Sequence, residues 1–102
     1  MSPESAARLQ SLQINWVLNA KGWVLFTREN CAMFARWQEG DPRVSFGSTG
    51  MMTDNGLAYL VWRKGQPILA AHGGQEIRAT SEQVEEIQRF SADLKDALGM
   101  NE

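Results

Sequence analysis

Met51-Met52-Thr53-Asp54-Asn55-Gly56-Leu57-Ala58-Tyr59-Leu60-Val61-Trp62-Arg63 is the stretch on which the fold turns. Asn55 and Gly56 are residue types that readily take the positive φ angles of a tight hairpin turn. Apolar, β-branched and aromatic side chains flank them, so residues 51–53 should run into residues 57–63 as paired antiparallel strands.

The same alternation of turn signals and short apolar runs extends in both directions. Upstream, residues 23–27 and 31–37 flank the turn Arg28-Glu29-Asn30, and Gln38-Glu39-Gly40-Asp41-Pro42 leads into residues 44–53. Gly47 and Gly50 interrupt that third strand and imply a bulge or a sharp bend. Downstream, Lys64-Gly65-Gln66-Pro67 returns the chain into residues 68–71, and Gly73-Gly74 breaks it before a short segment over residues 76–79. The period is two throughout, which reads as five or six antiparallel strands.

Helical patterns lie on both sides of this block. Ser2 is a candidate N-cap, with Pro3 at the first helical position and Glu4 beside the positive end of the dipole. Ala6, Leu9, Leu12, Trp16 and Ala20 form a stripe that Lys21 and Gly22 would end. Ile14 and Leu18 fall outside it. Either this helix is covered on two sides, or it stops early and residues 15–18 are already extended. At the other end Thr80 or Ser81 caps a helix, and Gln83 completes a capping box with Thr80. Val84, Ile87, Phe90, Leu94, Ala97 and Leu98 form its apolar stripe, Gly99 stops it, and Glu82, Glu85, Glu86, Arg89, Asp93 and Asp96 make a solvated face. The order helix, sheet, helix predicts one α+β domain over residues 1–102, with both helices packed on one face of a curved antiparallel sheet.

Composition narrows the function classes. The chain has 102 residues, 43% of them apolar and 22% charged, which suits a single globular domain with a modest core. The net charge of −2 is uneven: residues 80–102 carry two basic against six acidic side chains, and the rest of the chain eight against six. That pattern lacks the basic excess of a nucleic-acid binder. No apolar run approaches a membrane span. The opening residues lack the basic start and apolar block of a secretory leader, so a cytoplasmic protein is expected.

No motif specifies a chemistry. Cys31 and His72 are single, and Cys31 lies in the apolar run Cys31-Ala32-Met33-Phe34-Ala35, where a thiol behaves as a small hydrophobe with a raised pKa. A nucleophile–base pair is therefore not expected, and one Cys with one His falls short of a zinc set. Gly47-Ser48-Thr49-Gly50 lacks the lysine and the strand–loop–helix setting of a phosphate loop. No metal, no cofactor and no catalytic set follow.

What remains is a basic and aromatic constellation: Arg36-Trp37, Arg43 with Phe46, and Tyr59 with Trp62-Arg63-Lys64. Alternation puts Arg36 and Arg63 on one face, if their strands are neighbours, and turns Trp37 and Trp62 to the other, beneath the helices. Ile14, Leu18, Met51 and Met52 exceed what two helices obviously cover, which points to a homodimer contact or a surface for another protein. The expected function is a small non-enzymatic interaction module of adaptor, chaperone, immunity or inhibitor type, including one of phage or plasmid origin. Arg36, Trp37, Arg43, Trp62 and Arg63 are its candidate partner-binding residues. The alternative is a single-stranded nucleic-acid binder that uses the same side chains, with exposed tryptophans as stacking platforms.

Overall fold

A computed structural model describes residues 3–18, 22–37, 44–54, 56–71 and 73–98, with the side chains of Trp37 and residues 44–48 not described. Helix α1 spans Pro3–Ser11 and helix α2 spans Ser81–Ala97. Between them lie β1 (Asn15–Leu18), β2 (Trp23–Arg28), β3 (Cys31–Trp37), β4 (Val44–Thr53), β5 (Gly56–Arg63), β6 (Gln66–Ala71) and β7 (Glu76–Arg78). The strands form one antiparallel sheet in chain order, a simple meander. The expected α+β architecture is present, with seven strands where five or six were expected.

The added strand is β1, and the way α1 ends accounts for it. Gln13 takes a left-handed φ of 61°, its N–H bonds the Gln10 carbonyl at 3.0 Å, and the Ile14 N–H reaches back to the Leu9 carbonyl at 2.9 Å. This double bond pattern is a Schellman cap, in which the residue after the left-handed one packs back on the last turn. Leu9 and Ile14 are accordingly both in the core. The chain leaves the helix at residue 12 and enters the sheet at Asn15, so the early stop is the alternative that holds. Ser2, Ala20, Lys21 and Gly99 lie outside the described residues.

The hairpins follow their turn chemistry. Arg63 pairs with Gln66 across a two-residue turn in which Lys64 and Gly65 have φ of 52° and 77°, the left-handed pair that matches strand twist. Thr53 pairs with Gly56, whose φ of 97° suits glycine alone; Asn55 lies outside the described residues. Between β3 and β4 the register shifts so that Gly47 and Ser48 together stand opposite Phe34, which is the bulge expected in this strand. Gly50 has a separate reason to be glycine. A Cβ there would sit 2.0 Å from the Ala58 carbonyl oxygen and 2.9 Å from the Tyr59 Cα of β5.

One sheet face builds the core. Val24, Phe26, Cys31, Met33, Ala35, Met51, Ala58 and Leu69 point to the helices and meet Leu9 from α1 and Ile87, Phe90, Leu94 and Ala97 from α2. The capping box of α2 is complete: the Gln83 N–H donates to Thr80 Oγ1 at 3.1 Å, and the Thr80 N–H donates to Gln83 Oε1 at 2.8 Å. Arg28, on the same face at the end of β2, clamps the layers together. Its Nη1 donates to Asp93 Oδ2 on α2 at 2.8 Å and to the Leu12 carbonyl at 3.3 Å, and its guanidinium lies 5.6 Å from the Phe90 ring centre.

Candidate functional site

Strand alternation dictates what the second sheet face carries. Residues paired across neighbouring strands share a face, so the partners of the core set define one side and the intervening residues the other. On the side without helices, Val17 stands opposite Leu25, Leu25 opposite Phe34, Trp23 opposite Arg36, Met52 opposite Leu57 and Val61 opposite Ile68. Tyr59 lies between Gly50 and Ala70. Leu25, Phe34, Tyr59, Val61 and Ile68 are half-buried, each sheltered by its neighbours. Ala32 and Gly50 lie fully buried among the larger side chains. No helix or strand among the described residues lies over this face.

The face is apolar at its centre and charged toward one end. Trp23 and Phe34 meet edge to face at 6.5 Å, and the Arg36 guanidinium lies 6.0 Å from the Trp23 ring. Arg63 is paired with Glu76 of β7. Aromatic rings with an arginine over them and a paired rim charge resemble the make-up of protein contact surfaces.

The expected site residues separate on this frame. Arg36 and Arg63 do share the helix-free face, on β3 and β5 with β4 between them. Trp62 belongs to the opposite side with Ala58 and Leu60 and pairs with Pro67; it is 56% exposed, past the cover of the helices, so it neither packs beneath them nor joins the arginines. Trp37 pairs through its backbone with Val44, its side chain lies outside what is described, and Arg43 and His72 lie outside the described residues. Of the expected dimer contacts, Ile14 and Met51 are corrected to core residues, 1% and 5% exposed. Ile14 is drawn in by the Schellman cap and Met51 by its parity with Cys31 and Ala58. Leu18 and Met52 are at the surface.

Trp23, Leu25, Phe34 and Val17 were missed as surface residues. A signal for Trp23 and Leu25 existed: Trp23-Val24-Leu25-Phe26, like Leu57-Ala58-Tyr59-Leu60-Val61, is apolar at every position. Unbroken apolar strands are the mark of burial on both faces, whereas a sheet wetted on one side alternates.

Two other places carry groups with reactive or charged chemistry. Cys31 is a buried free thiol. Desolvation, with Glu86 and Glu29 adding to it and Arg28 opposing, pushes its pKa up to about 11 from 9.0, so it is a thiol and not a thiolate at neutral pH. An open cleft of about 460 Å³ runs between α2 and the turns after α1 and β2, lined by Arg28, Arg89 and five carboxylates that include Glu82, Glu85 and Asp93. Among the described residues no three His, Cys, Asp or Glu side chains are grouped to hold a metal ion. No helix among them is long and apolar enough to cross a membrane. In comparisons with known proteins, no family model, no curated protein and no solved structure matches the chain.

Proposed function

We propose that this chain is a small, non-catalytic, cytoplasmic interaction module that packs its helix-free sheet face onto an apolar surface of another protein, as an adaptor, chaperone, immunity protein or inhibitor does. The observation that carries the reading is the chemical likeness of the two sheet faces. One is covered by α1 and α2, and the other presents Leu25, Phe34, Tyr59, Val61 and Ile68 with no element over them among the described residues. A contiguous apolar patch of this kind is costly to leave wet and marks a contact surface. Trp23 with Arg36 at one end and the Arg63–Glu76 pair near β7 supply a polar rim.

The nucleic-acid alternative retains one supporting observation, the Arg36 guanidinium over Trp23. Against it, Glu76 neutralises Arg63, and Trp62 lies on the other side of the sheet from both arginines. The experiment that separates the two places a photo-crosslinking phenylalanine analogue at Tyr59, and at Glu85 on the outer face of α2 as control, in native extract divided into nuclease-treated and untreated halves. The expected result is a protein adduct from Tyr59 alone, unaffected by nuclease and abolished by Val61→Glu. An adduct to RNA or DNA that fades with added salt and with Arg36→Ala would overturn the proposal in favour of the alternative. Equal adducts from Tyr59 and Glu85 would show that the sheet face has no special role.

A further inference from the structure

The sheet has two edges, and they differ. At the far edge, β7 is three residues long with Glu76 and Arg78 on either side of Ile77, the short, charged form that discourages strand addition. At the near edge, β1 reads Asn15-Trp16-Val17-Leu18, with no charge, no proline and no bulge in its pairing with β2. Val17 and Leu18 are 65% and 66% exposed, the two most exposed large apolar residues of those described. Among the described strands β1 has one neighbour, β2, so its outer row of backbone N–H and C=O groups can be met in β geometry only by another extended chain.

We propose that the occupant is β1 of a second copy of this chain, joined antiparallel about a two-fold axis through Val17. The register follows from face parity. Side chains that face each other across a pair must share a sheet face, so the axis must pass through a residue and not between two. An axis at Trp16 sets Val17 against the partner's Asn15 and leaves Leu18 outside. An axis at Val17 sets Val17 against its own symmetry mate and Leu18 against the partner's Trp16, and all three positions meet apolar side chains. Joining β1 to the β7 edge would be head-to-tail and would build a ring or an open filament in place of a two-fold dimer; the charges and shortness of β7 disfavour it. The two-fold pair closes and turns two seven-stranded sheets into one. It also brings the Val17–Leu25–Phe34 ends of the two helix-free faces side by side, so the dimer presents one double-width surface. The pairing does not depend on that surface having a partner.

Three paired residues a side, Trp16, Val17 and Leu18, bury less than the roughly 1,200 Å² of a standard interface, which places the contact in the reversible class. Sedimentation equilibrium from about 10 μM to about 1 mM should therefore show a monomer–dimer equilibrium. Val17→Lys sets like charges against each other on the axis and should weaken association by at least about tenfold, with the far-ultraviolet circular dichroism unchanged because the position is exposed. Register is read by cysteine scanning with a short thiol-to-thiol cross-linker: Val17→Cys should give a covalent dimer. Asn15→Cys should not, since four residues along the strand separate it from its mate by about 13 Å. A monomer at every concentration overturns the proposal, and so does equal cross-linking from Asn15→Cys. A dimer that resists Val17→Lys but is abolished by Val61→Glu would also overturn it, by showing that the copies meet through their open faces. Failure here leaves the Tyr59 adduct to stand or fall by itself.

Discussion

Arg28→Met should cost this domain about 2 kcal/mol, and the geometry says where the loss arises. The methionine keeps an unbranched apolar stem of similar reach, so packing against Phe90 is largely retained. What disappears is the 2.8 Å bond to Asp93 and the 3.3 Å bond to the Leu12 carbonyl, together with the cation over the Phe90 ring. A charge-assisted hydrogen bond contributes about 1.5–3 kcal/mol. Asp93 is 34% exposed and regains water when Arg28 is gone, so about 1 kcal/mol is the better figure for that pair. The carbonyl bond and the cation–π contact add about 0.5 kcal/mol each. Urea unfolding of wild type, Arg28→Met, Asp93→Asn and the double variant measures the total and the coupling, which should be about 1 kcal/mol. In a domain of this size a loss of about 2 kcal/mol lowers Tm by about 10 °C. An Arg28→Met cost below about 0.5 kcal/mol, or a coupling indistinguishable from zero, would refute the view that Arg28 clamps α2 and the α1–β1 turn to the sheet.

Gly50→Ala should destabilise by more than about 2 kcal/mol, because the new Cβ would lie 2.0 Å from a β5 backbone oxygen that cannot move without breaking the pairing; a near-neutral urea midpoint would contradict this. Gln13→Gly should stabilise by about 0.5 kcal/mol by relieving the left-handed φ of 61° at the end of α1, read as a rise in the same midpoint. For Cys31 the folded pKa, about 11, lies above the unfolded 9.0, so the folded state holds the proton more tightly. Its contribution is fully present below pH 9 and is lost as pH rises through 11, at about 1.4 kcal/mol per pH unit and about 3 kcal/mol in all. The stability gap between wild type and Cys31→Ala should therefore shrink over that interval, and a constant gap would show that the thiol does not titrate against burial.

The sheet and α2 were legible because their signals are local. Lys64-Gly65 and Asp54-Asn55-Gly56 declare turns by backbone preference, and Thr80 with Gln83 declares a helix start through two hydrogen bonds that span three residues. The end of α1 was not legible in the same way. A Schellman cap usually shows as glycine, and here Gln13 occupies the left-handed position, held by the burial of Ile14 against the core. Ile14 and Met51 were placed at the surface for a related reason: their burial depends on which elements lie over them, which local periodicity does not contain. The arginines fared better than the tryptophans. Arg36 and Arg63 share a face by parity once β3, β4 and β5 are neighbours, but whether Trp62 is covered depends on how far the helices extend across the sheet.

The apolar character of the helix-free face is more than folding of this chain requires. A sheet covered on one side needs apolar residues at alternate positions, and β5 would satisfy the core with Ala58 and Leu60 alone. Cross-strand pairs on the outer face stabilise by only about 0.2–1 kcal/mol each, and threonine or a pair of opposite charges supplies as much as Val61 with Ile68 or Leu25 with Phe34. The Arg63–Glu76 pair shows the polar solution in use on this same face, at the end near β7. Toward β1 the chain instead carries Val17, Leu25, Trp23 and Phe34 out to an edge strand that itself bears no charge. The asymmetry is therefore between the two edge strands, with Glu76 and Arg78 on β7 and no charge on β1. A requirement for solubility would act on both edges alike, whereas the proposed pairing of β1 with its symmetry mate acts on the β1 edge alone and predicts the difference between the two edge strands.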